Sequence, residues 1–373
     1  MRIRKTIIAF TILLISNQQG ISQNLLSKKQ LYIEGLYHYG FVAPHHDYMA
    51  YFINEHVQGF QINLGISTIG NKYWNKYYNY PRIGIGYYHS GLGNRYIYGL
   101  LNAGYLYVDR SFFNLSNRFN LGNRISFGLG HISKRFDLYS NNYNTVIGSK
   151  LNVFIQYNIE GAVKITPLVQ MKMGLSLIHS SNGSIHEPNI GFNVVTSSIG
   201  LQYSLTNQVY NIKKESPISL DSSKIQFIAS VAFGWKSISR FHSYEYPVYA
   251  ISCEYSKKIS STGWLGLAIT GYLDRSIKKE FEIQLVPDST FKSSDYYSIA
   301  LNPSYEMKMG RLSFLFQPGV YLKHSVKEYG LITNRIGLRY NFRNNIAVGI
   351  AIKTHWLAKA DIVEWSIGYR WKK

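Results

Sequence analysis

The feature that most constrains this chain is a period of two in its apolar residues, sustained over segments of about ten to thirteen residues. In "RIGIGYY", Ile83, Ile85 and Tyr87 alternate with Gly84 and Gly86; in "KIQFIASVAFGW", Ile225, Phe227, Ala229, Val231, Phe233 and Trp235 share one face. In "RLSFLF" the set is Leu312, Phe314 and Phe316, and in "GLITNRIGLRYNF" it is Ile336, Leu338, Tyr340 and Phe342 against Arg335, Gly337, Arg339 and Asn341. Such segments are β-strands with one oily face, which excludes an all-helical protein. A soluble sandwich would turn that face inward, whereas a membrane barrel turns it out to lipid and fills its lumen with Gly, Ser, Asn and Arg.

Three observations favour the barrel. A tilted strand crossing a bilayer needs about 9 to 11 residues, whereas soluble strands usually have about five or six. Tyr occurs 32 times and clusters near strand ends, as in "YWNKYYNY" and "DYYS", where an aromatic girdle would lie. The chain closes on "DIVEWSIGYRW", whose Val363, Trp365, Ile367, Tyr369 and Trp371 form a terminal amphipathic strand of the kind that barrel-assembly machinery reads. The expected fold class is therefore all-β, a transmembrane antiparallel outer-membrane β-barrel.

Candidate strands run from 31–42 to 361–372 and number about sixteen, the even count that leaves both termini in the periplasm. Counts of 12 to 14, or an eight-stranded barrel plus a second β unit, are the alternatives. In the C-terminal half, tight turns at "KISSTG", "KMG" and "RNN" alternate with longer connections such as 275–293. In the N-terminal half the rhythm falters, with a short link at 91–94 where a long loop is due and a long one at 109–121 where a turn is due. The polar stretch "TNQVYNIKKESPISLDSSK" at 206–224 either divides two barrels of about eight strands or forms a long periplasmic turn in one barrel, and the single barrel is favoured. The expected organisation is thus a leader at 1–22, a barrel portion at 23–205, the polar turn or linker at 206–224, and further strands at 225–373.

The leader is read from Arg2, Arg4 and Lys5 ahead of the apolar "TIIAFTILLIS", with a cleavage site near Ser22, as in a secretory signal peptide. Beyond Leu25 no apolar run approaches the 18 or more residues of a membrane helix. Export with a single cysteine, Cys253, excludes an intramolecular disulfide framework, so the fold must stabilise itself. The formal net charge of +20 favours an anionic partner, and for an exported protein a phosphorylated lipid surface fits better than nucleic acid.

Against this pattern "HSSNGSIHEPNIGFN", residues 179–193, breaks an oily face. The alternation Val169, Met171, Met173, Leu175, Leu177 continues into His179 and Ser181, and on the returning strand Ile199, Leu201, Tyr203 and Leu205 carry Asn193 and Gly191 by the same parity. All lie toward lipid beside a loop that falls on the outer side of the membrane. Residues two apart on a strand sit about 6 to 7 Å from one another on one face, within reach of an imidazole and a hydroxyl. A third polar group across the strand pair completes the nucleophile, base and orienter logic of acyl transfer. The alternative is a set of interfacial polar residues at headgroup level.

"HSSN" followed by "PNIG" resembles the H-x-S-N and N-x-G signature of outer-membrane lipid A 3-O-deacylases, the PagL-type or acyloxyacyl hydrolase-like family. "NTVIGSKLN" at 144–152 and "KMGLSLIHSSNG" also look like that family's upstream region, and the resemblance covers residues 80–205. It implies Ser181 as nucleophile, His179 as general base, and Asn182, Asn189 and Gly191 as oxyanion or substrate-binding positions. The family's acid falls fourteen residues beyond the histidine, where this chain has Asn193; Glu187 is the alternative acid. An amide can orient a neutral imidazole but supplies no charge to stabilise the imidazolium, so lower activity is expected.

Other candidates carry less. "HHD" offers His45, His46 and Asp47 as metal ligands, but adjacent side chains diverge and the stretch is an expected loop, so no metal is expected. His89 and His131 are interfacial, and "GLGN" at 91–94 is a turn with no helix after it. The expected function is a serine esterase, a carboxylic ester hydrolase of the bacterial outer membrane that removes an acyl chain from lipid A or a related glycolipid of lipopolysaccharide, without cofactor. The rival is a porin-like or transport barrel with a vestigial motif, in which Arg335, Arg339 and Arg370 either line or plug a pore.

Overall fold

The computed structural model describes residues 30–68, 73–114, 118–205, 223–241, 244–356 and 359–373. The expected leader at 1–22, and 206–222 of the polar stretch, lie outside the described residues. Sixteen antiparallel strands are present. They are β1 (Gln30–Val42), β2 (Val57–Ser67), β3 (Arg82–Gly91), β4 (Leu100–Asn114), β5 (Phe119–Ile132), β6 (Leu151–Lys164), β7 (Val169–Ser181) and β8 (Phe192–Ser204). The second set is β9 (Ile225–Lys236), β10 (Tyr246–Lys258), β11 (Gly263–Asp274), β12 (Tyr297–Met309), β13 (Leu312–Lys323), β14 (Ile332–Asn341), β15 (Ile346–His355) and β16 (Lys359–Lys372).

The strands close twice. β1 pairs with both β2 and β8, and β9 with both β10 and β16, giving two separate eight-stranded barrels. The count of sixteen agrees with the sequence, while the arrangement is eight plus eight and not the favoured single ring. Closure leaves neither sheet an edge, so every strand finds backbone partners on both sides, as the hydrocarbon requires.

The oily face is outermost. On β7, Leu175 and Leu177 are 62% and 52% exposed, while Ser176 between them is 2% exposed. The same alternation marks Ile33, Ile62, Ile85, Ile125, Ile159 and Leu201 around the first barrel, and Val231, Ile251, Leu267 and Ile367 around the second. No helix among the described residues is long and apolar enough to cross a membrane.

The faltering rhythm of the N-terminal half also resolves. β4 runs from Leu100 to Asn114 and β5 starts at Phe119, so the long connection is 92–99, before β4, and not the one after it. Tyr96, Ile97 and Tyr98 are apolar, so from sequence a strand is expected to begin at 95. In fact Asn94 Oδ1 accepts from the N–H groups of Tyr96 and Ile97, both at 3.0 Å, and curls the chain so that the Tyr98 ring enters the barrel mouth.

Both lumens are filled. In the first barrel Arg124 meets Glu34 (2.6 Å), Asp109 (3.2 Å) and Glu160 (3.2 Å), Arg82 meets Asp109 (2.5 Å), and Lys172 binds Glu34 (3.1 Å) and Glu160. Three cations face three anions, which is how buried charge is tolerated. Above this layer an apolar plug that includes Met49, Leu92, Tyr98, Ile132, Val146, Phe154 and Phe192 seals the external end. In the second barrel Arg335 pairs with Glu364 (2.7 Å) and Arg339 with Glu254 (2.8 Å), and Arg370 is buried. Lys236 pairs with Asp274, Asp361 and Glu280 nearer its external mouth. The arginines read as possible pore lining belong to packed interiors.

The barrels touch at both ends. Outside, Ser237 N–H donates to Ser184 C=O (2.7 Å), Ser184 Oγ donates to Ala360 C=O (2.8 Å) and His186 Nε2 meets Glu245 (3.1 Å). On the periplasmic side Tyr78 Oη donates to Lys308 C=O at 3.2 Å.

Candidate active site

β7 and β8 are paired so that His179 lies directly opposite Asn193. Across an antiparallel pair such residues hold their Cβ atoms about 4.5 to 5.5 Å apart, close enough for direct hydrogen bonding. His179 Nδ1–H donates to Asn193 Oδ1 at 2.7 Å, and Ser181 Oγ–H donates to His179 Nε2 at 2.9 Å. The three residues that parity placed on the lipid face are thus joined into one chain of hydrogen bonds. Its direction is set: an amide oxygen that accepts from Nδ1 leaves Nε2 bare to take the serine proton.

Below the array the wall is oily. Leu177 pairs with Val195 across β7 and β8, and His179 pairs with Ile155 of β6 on its other side. On the outward face of β7, Val169, Met171, Met173, Leu175 and Leu177 are apolar, and polar side chains begin only at His179 and Ser181.

The loop 182–191 is stapled by its own side chains. Asn182 N–H donates to Asn189 Oδ1 (2.8 Å), Asn182 Nδ2 donates to His186 C=O (2.8 Å), and Asn189 N–H donates to Glu187 (3.1 Å). Segment 144–149 braces it, since Gly148 N–H donates to Pro188 C=O (2.6 Å) and Ile190 N–H to Val146 C=O (2.9 Å). The "NTVIGSKLN" stretch is therefore a brace for the site, and Gly148 is glycine because a Cβ there would sit 2.5 Å from Glu187 C=O.

Gly191 has φ +80°, and a Cβ on it would lie 3.1 Å from both His179 Cε1 and Ser181 Cβ. Only glycine lets the backbone pass so close to the imidazole. Its N–H is directed to Val146 C=O at 3.3 Å, so its contribution is space and not a donor. Of the groups expected to bind an oxyanion, the Asn182 N–H is taken by Asn189, while Asn189 Nδ2 is buried with no hydrogen-bond partner among the described residues. A buried amide donor without a partner is costly unless something else uses it.

Glu187 does not reach the array; it caps the loop, and burial pushes its carboxyl up, against the Asn189 N–H and Lys359, which pull it down. The third partner of His179 is Asn193. Among the described residues no group of three or more His, Cys, Asp or Glu is gathered to hold a metal, and His46 of the "HHD" stretch stacks on Tyr48 at 5.3 Å. His89 bonds Asn102 at 2.8 Å on the outer wall. Sequence reasoning missed His45, whose Nδ1 accepts from Asn193 Nδ2 at 3.4 Å, because contact across 148 residues leaves no local pattern.

Two closed barrels with oily exteriors define a β-barrel protein of the outer membrane, with the His179, Ser181 and Asn193 array at one end of β7 and β8, where Ser181 is 6% exposed. The family comparisons sharpen this. The model described as lipid A 3-O-deacylase (PagL) matches residues 58–202, and the one described as acyloxyacyl hydrolase, C-terminal domain, matches 224–373. Together they cover most of the chain, which belongs to this family of lipid A deacylases and is an ester hydrolase at that level.

No curated protein matches the chain in sequence. Similar solved structures include OccK3 (OpdO) of Pseudomonas aeruginosa, at 10% identity over 93% of this chain and 96% of that one, with a TM-score of 0.22. The translocator domain of autotransporter NalP from Neisseria meningitidis matches at 11% identity over 98% of each chain, TM-score 0.19. CdiB from Acinetobacter baumannii matches at 10% identity over 92% of this chain but 60% of its own, TM-score 0.20. Scores this low align no strand with a particular strand.

Proposed function

We propose that the protein is a serine esterase of the outer membrane that hydrolyses an ester-linked acyl chain of lipid A or a related glycolipid, with Ser181 as nucleophile, His179 as general base and Asn193 as orienter. The observation that carries this reading is the continuous chain from Ser181 Oγ through both imidazole nitrogens to Asn193, on the wall facing lipid. Ser181 Oγ attacks the acyl carbonyl as its proton passes to Nε2. The oxyanion that forms is stabilised by Asn189 Nδ2, the buried amide left without a partner. Collapse expels the sugar hydroxyl, which takes the proton from Nε2, and leaves an acyl-serine. Water, deprotonated by Nε2, then releases the fatty acid and restores the serine.

The surroundings suit such a substrate. An acyl chain entering from the leaflet has Leu177, Val195 and Leu175 to lie against, and Arg95, Lys134, Arg135 and Lys150 stand exposed in the external loops for its phosphates. Filled lumens give the transport reading no support. Insertion through the barrel-assembly machinery by the terminal amphipathic strand belongs to the same proposal.

The test is mass spectrometry of lipid A from cells expressing wild-type protein or Ser181→Ala. Loss of one acyl chain with wild type and not with the variant is the expected result; identical acylation in both would sink the esterase reading.

A further inference from the structure

An asparagine in the orienting position poses a problem that a carboxylate does not. Both oxygens of a carboxylate accept hydrogen bonds, so either serves the imidazole; an amide presents an oxygen on one side and an NH2 on the other. Turned the wrong way, Asn193 would donate to His179 Nδ1, the imidazole proton would move to Nε2, and Nε2 could no longer accept from Ser181. The base would be lost without any residue leaving its place.

We propose that His45 is the positioning residue that fixes this choice, a fourth member of the array; the proposal rests on the esterase reading above. His45 Nδ1 lies 3.4 Å from Asn193 Nδ2, on the side of the amide away from His179. His45 Nε2 lies 3.3 Å from Ile190 C=O, and a carbonyl can only accept, so Nε2 carries the ring proton and Nδ1 is bare. A bare Nδ1 accepts from the amide NH2 and turns Asn193 Oδ1 toward His179. The relay then has one direction throughout: Ser181 O–H to His179 Nε2, His179 Nδ1–H to Asn193 Oδ1, Asn193 Nδ2–H to His45 Nδ1, and His45 Nε2–H to Ile190 C=O.

The backbone holds both ends of this relay in register. Ala43 N–H, two residues before His45, donates to Asn193 C=O at 2.8 Å, and Ile190 is tied to Val146. The His45 ring also rests against that of His46, 5.0 Å away. The histidine that would be an unconvincing metal ligand thus has a use that depends on the amide at position 193.

The experiment uses full-length protein in vesicles of phosphatidylcholine carrying lipopolysaccharide, with fatty-acid release measured for wild type, Ser181→Ala, His45→Ala, His45→Asn, Asn193→Asp and the pair His45→Ala with Asn193→Asp. His45→Ala is expected to lower kcat about tenfold with KM unchanged, because only the fraction of molecules with the productive amide turns over. His45→Asn, whose side-chain oxygen takes the place of Nδ1, should recover most of the rate. With Asp at 193 there is no flip to set, so His45→Ala should then change the rate less than about twofold. An equal loss in both backgrounds would mean that His45 only supports the loop, and no loss with Asn at 193 would mean that something else orients the amide; either overturns the proposal while Ser181→Ala remains inactive. If wild type releases no more fatty acid than Ser181→Ala, the esterase reading itself has failed and His45 falls with it.

Discussion

The last hairpins of the two barrels can be laid side by side. β7 carries a histidine near its end, His179, hydrogen-bonded to Asn193 on the strand that follows, and β15 ends in a histidine, His355, within ion-pair distance of Asp361 on the strand that follows. His179 points out to lipid and meets Ser181 and Asn193. His355 points inward, where Tyr321 Oη is 3.0 Å from its Nδ1, Asp361 is 3.2 Å from its Nε2, and the Tyr329 ring stacks on it at 3.7 Å. His355 even has the carboxylate that His179 lacks. Two residues beyond it the sequence has Leu357, with no nucleophile. The pair shows that a good partner is not enough. One residue of register decides whether a histidine lies on the outer wall or in a sealed interior, because strand side chains alternate between faces.

That contrast can be broken from either side. The largest effect is expected from Ser181→Ala, which should lower fatty-acid release by about 10⁴-fold or more while the barrel still migrates as folded on a semi-native gel. Next comes the interior: Arg124→Met leaves Glu34, Asp109 and Glu160 with only Arg82 and Lys172 to answer them, and should cost about 3 to 5 kcal/mol in urea unfolding from vesicles, with the rate per folded molecule within about twofold of wild type. His355→Ala should behave as an interior change also, losing about 1 to 3 kcal/mol of stability and none of the activity. A large fall in rate with His355→Ala would contradict the division of labour between the barrels. The smallest change, and the one of opposite sign, is Asn193→Asp: a carboxylate stabilises the imidazolium, so the rate should rise by on the order of tenfold, with the acid limb of the pH–rate profile moving to higher pH. Indifference at that position would point to another acid.

Much of this was legible because it is local. Alternation gave the strands, their oily exterior and the shared face of His179, Ser181 and Asn193, since parity needs no knowledge of partners. The short tyrosine-rich turn at 96–98 was not, because an apolar loop packed into a barrel mouth looks like strand until its Asn94 turn is seen. Nor was His45, which meets Asn193 only because β1 closes the first ring against β8. The three candidate oxyanion positions looked equivalent in sequence; backbone bonding then separated Asn189, with a spare donor, from Gly191, whose role is to be small.

By itself the sequence determined that the chain is built of bilayer-length strands, which face of each strand is oily, and that a histidine, a serine and an asparagine interrupt that face near one loop. Tertiary structure decided how the strands close and what completes the site. A strand's hydrophobic pattern is the same whether β8 returns to β1 or runs on to β9, so ring size is invisible to it. Ring closure also seats β1 beside β8 and rests the loop at Ser184 against Ser237 and Ala360 of the second barrel. The residues that hold the loop and Asn193 therefore come from distant parts of the chain, joined only by folding.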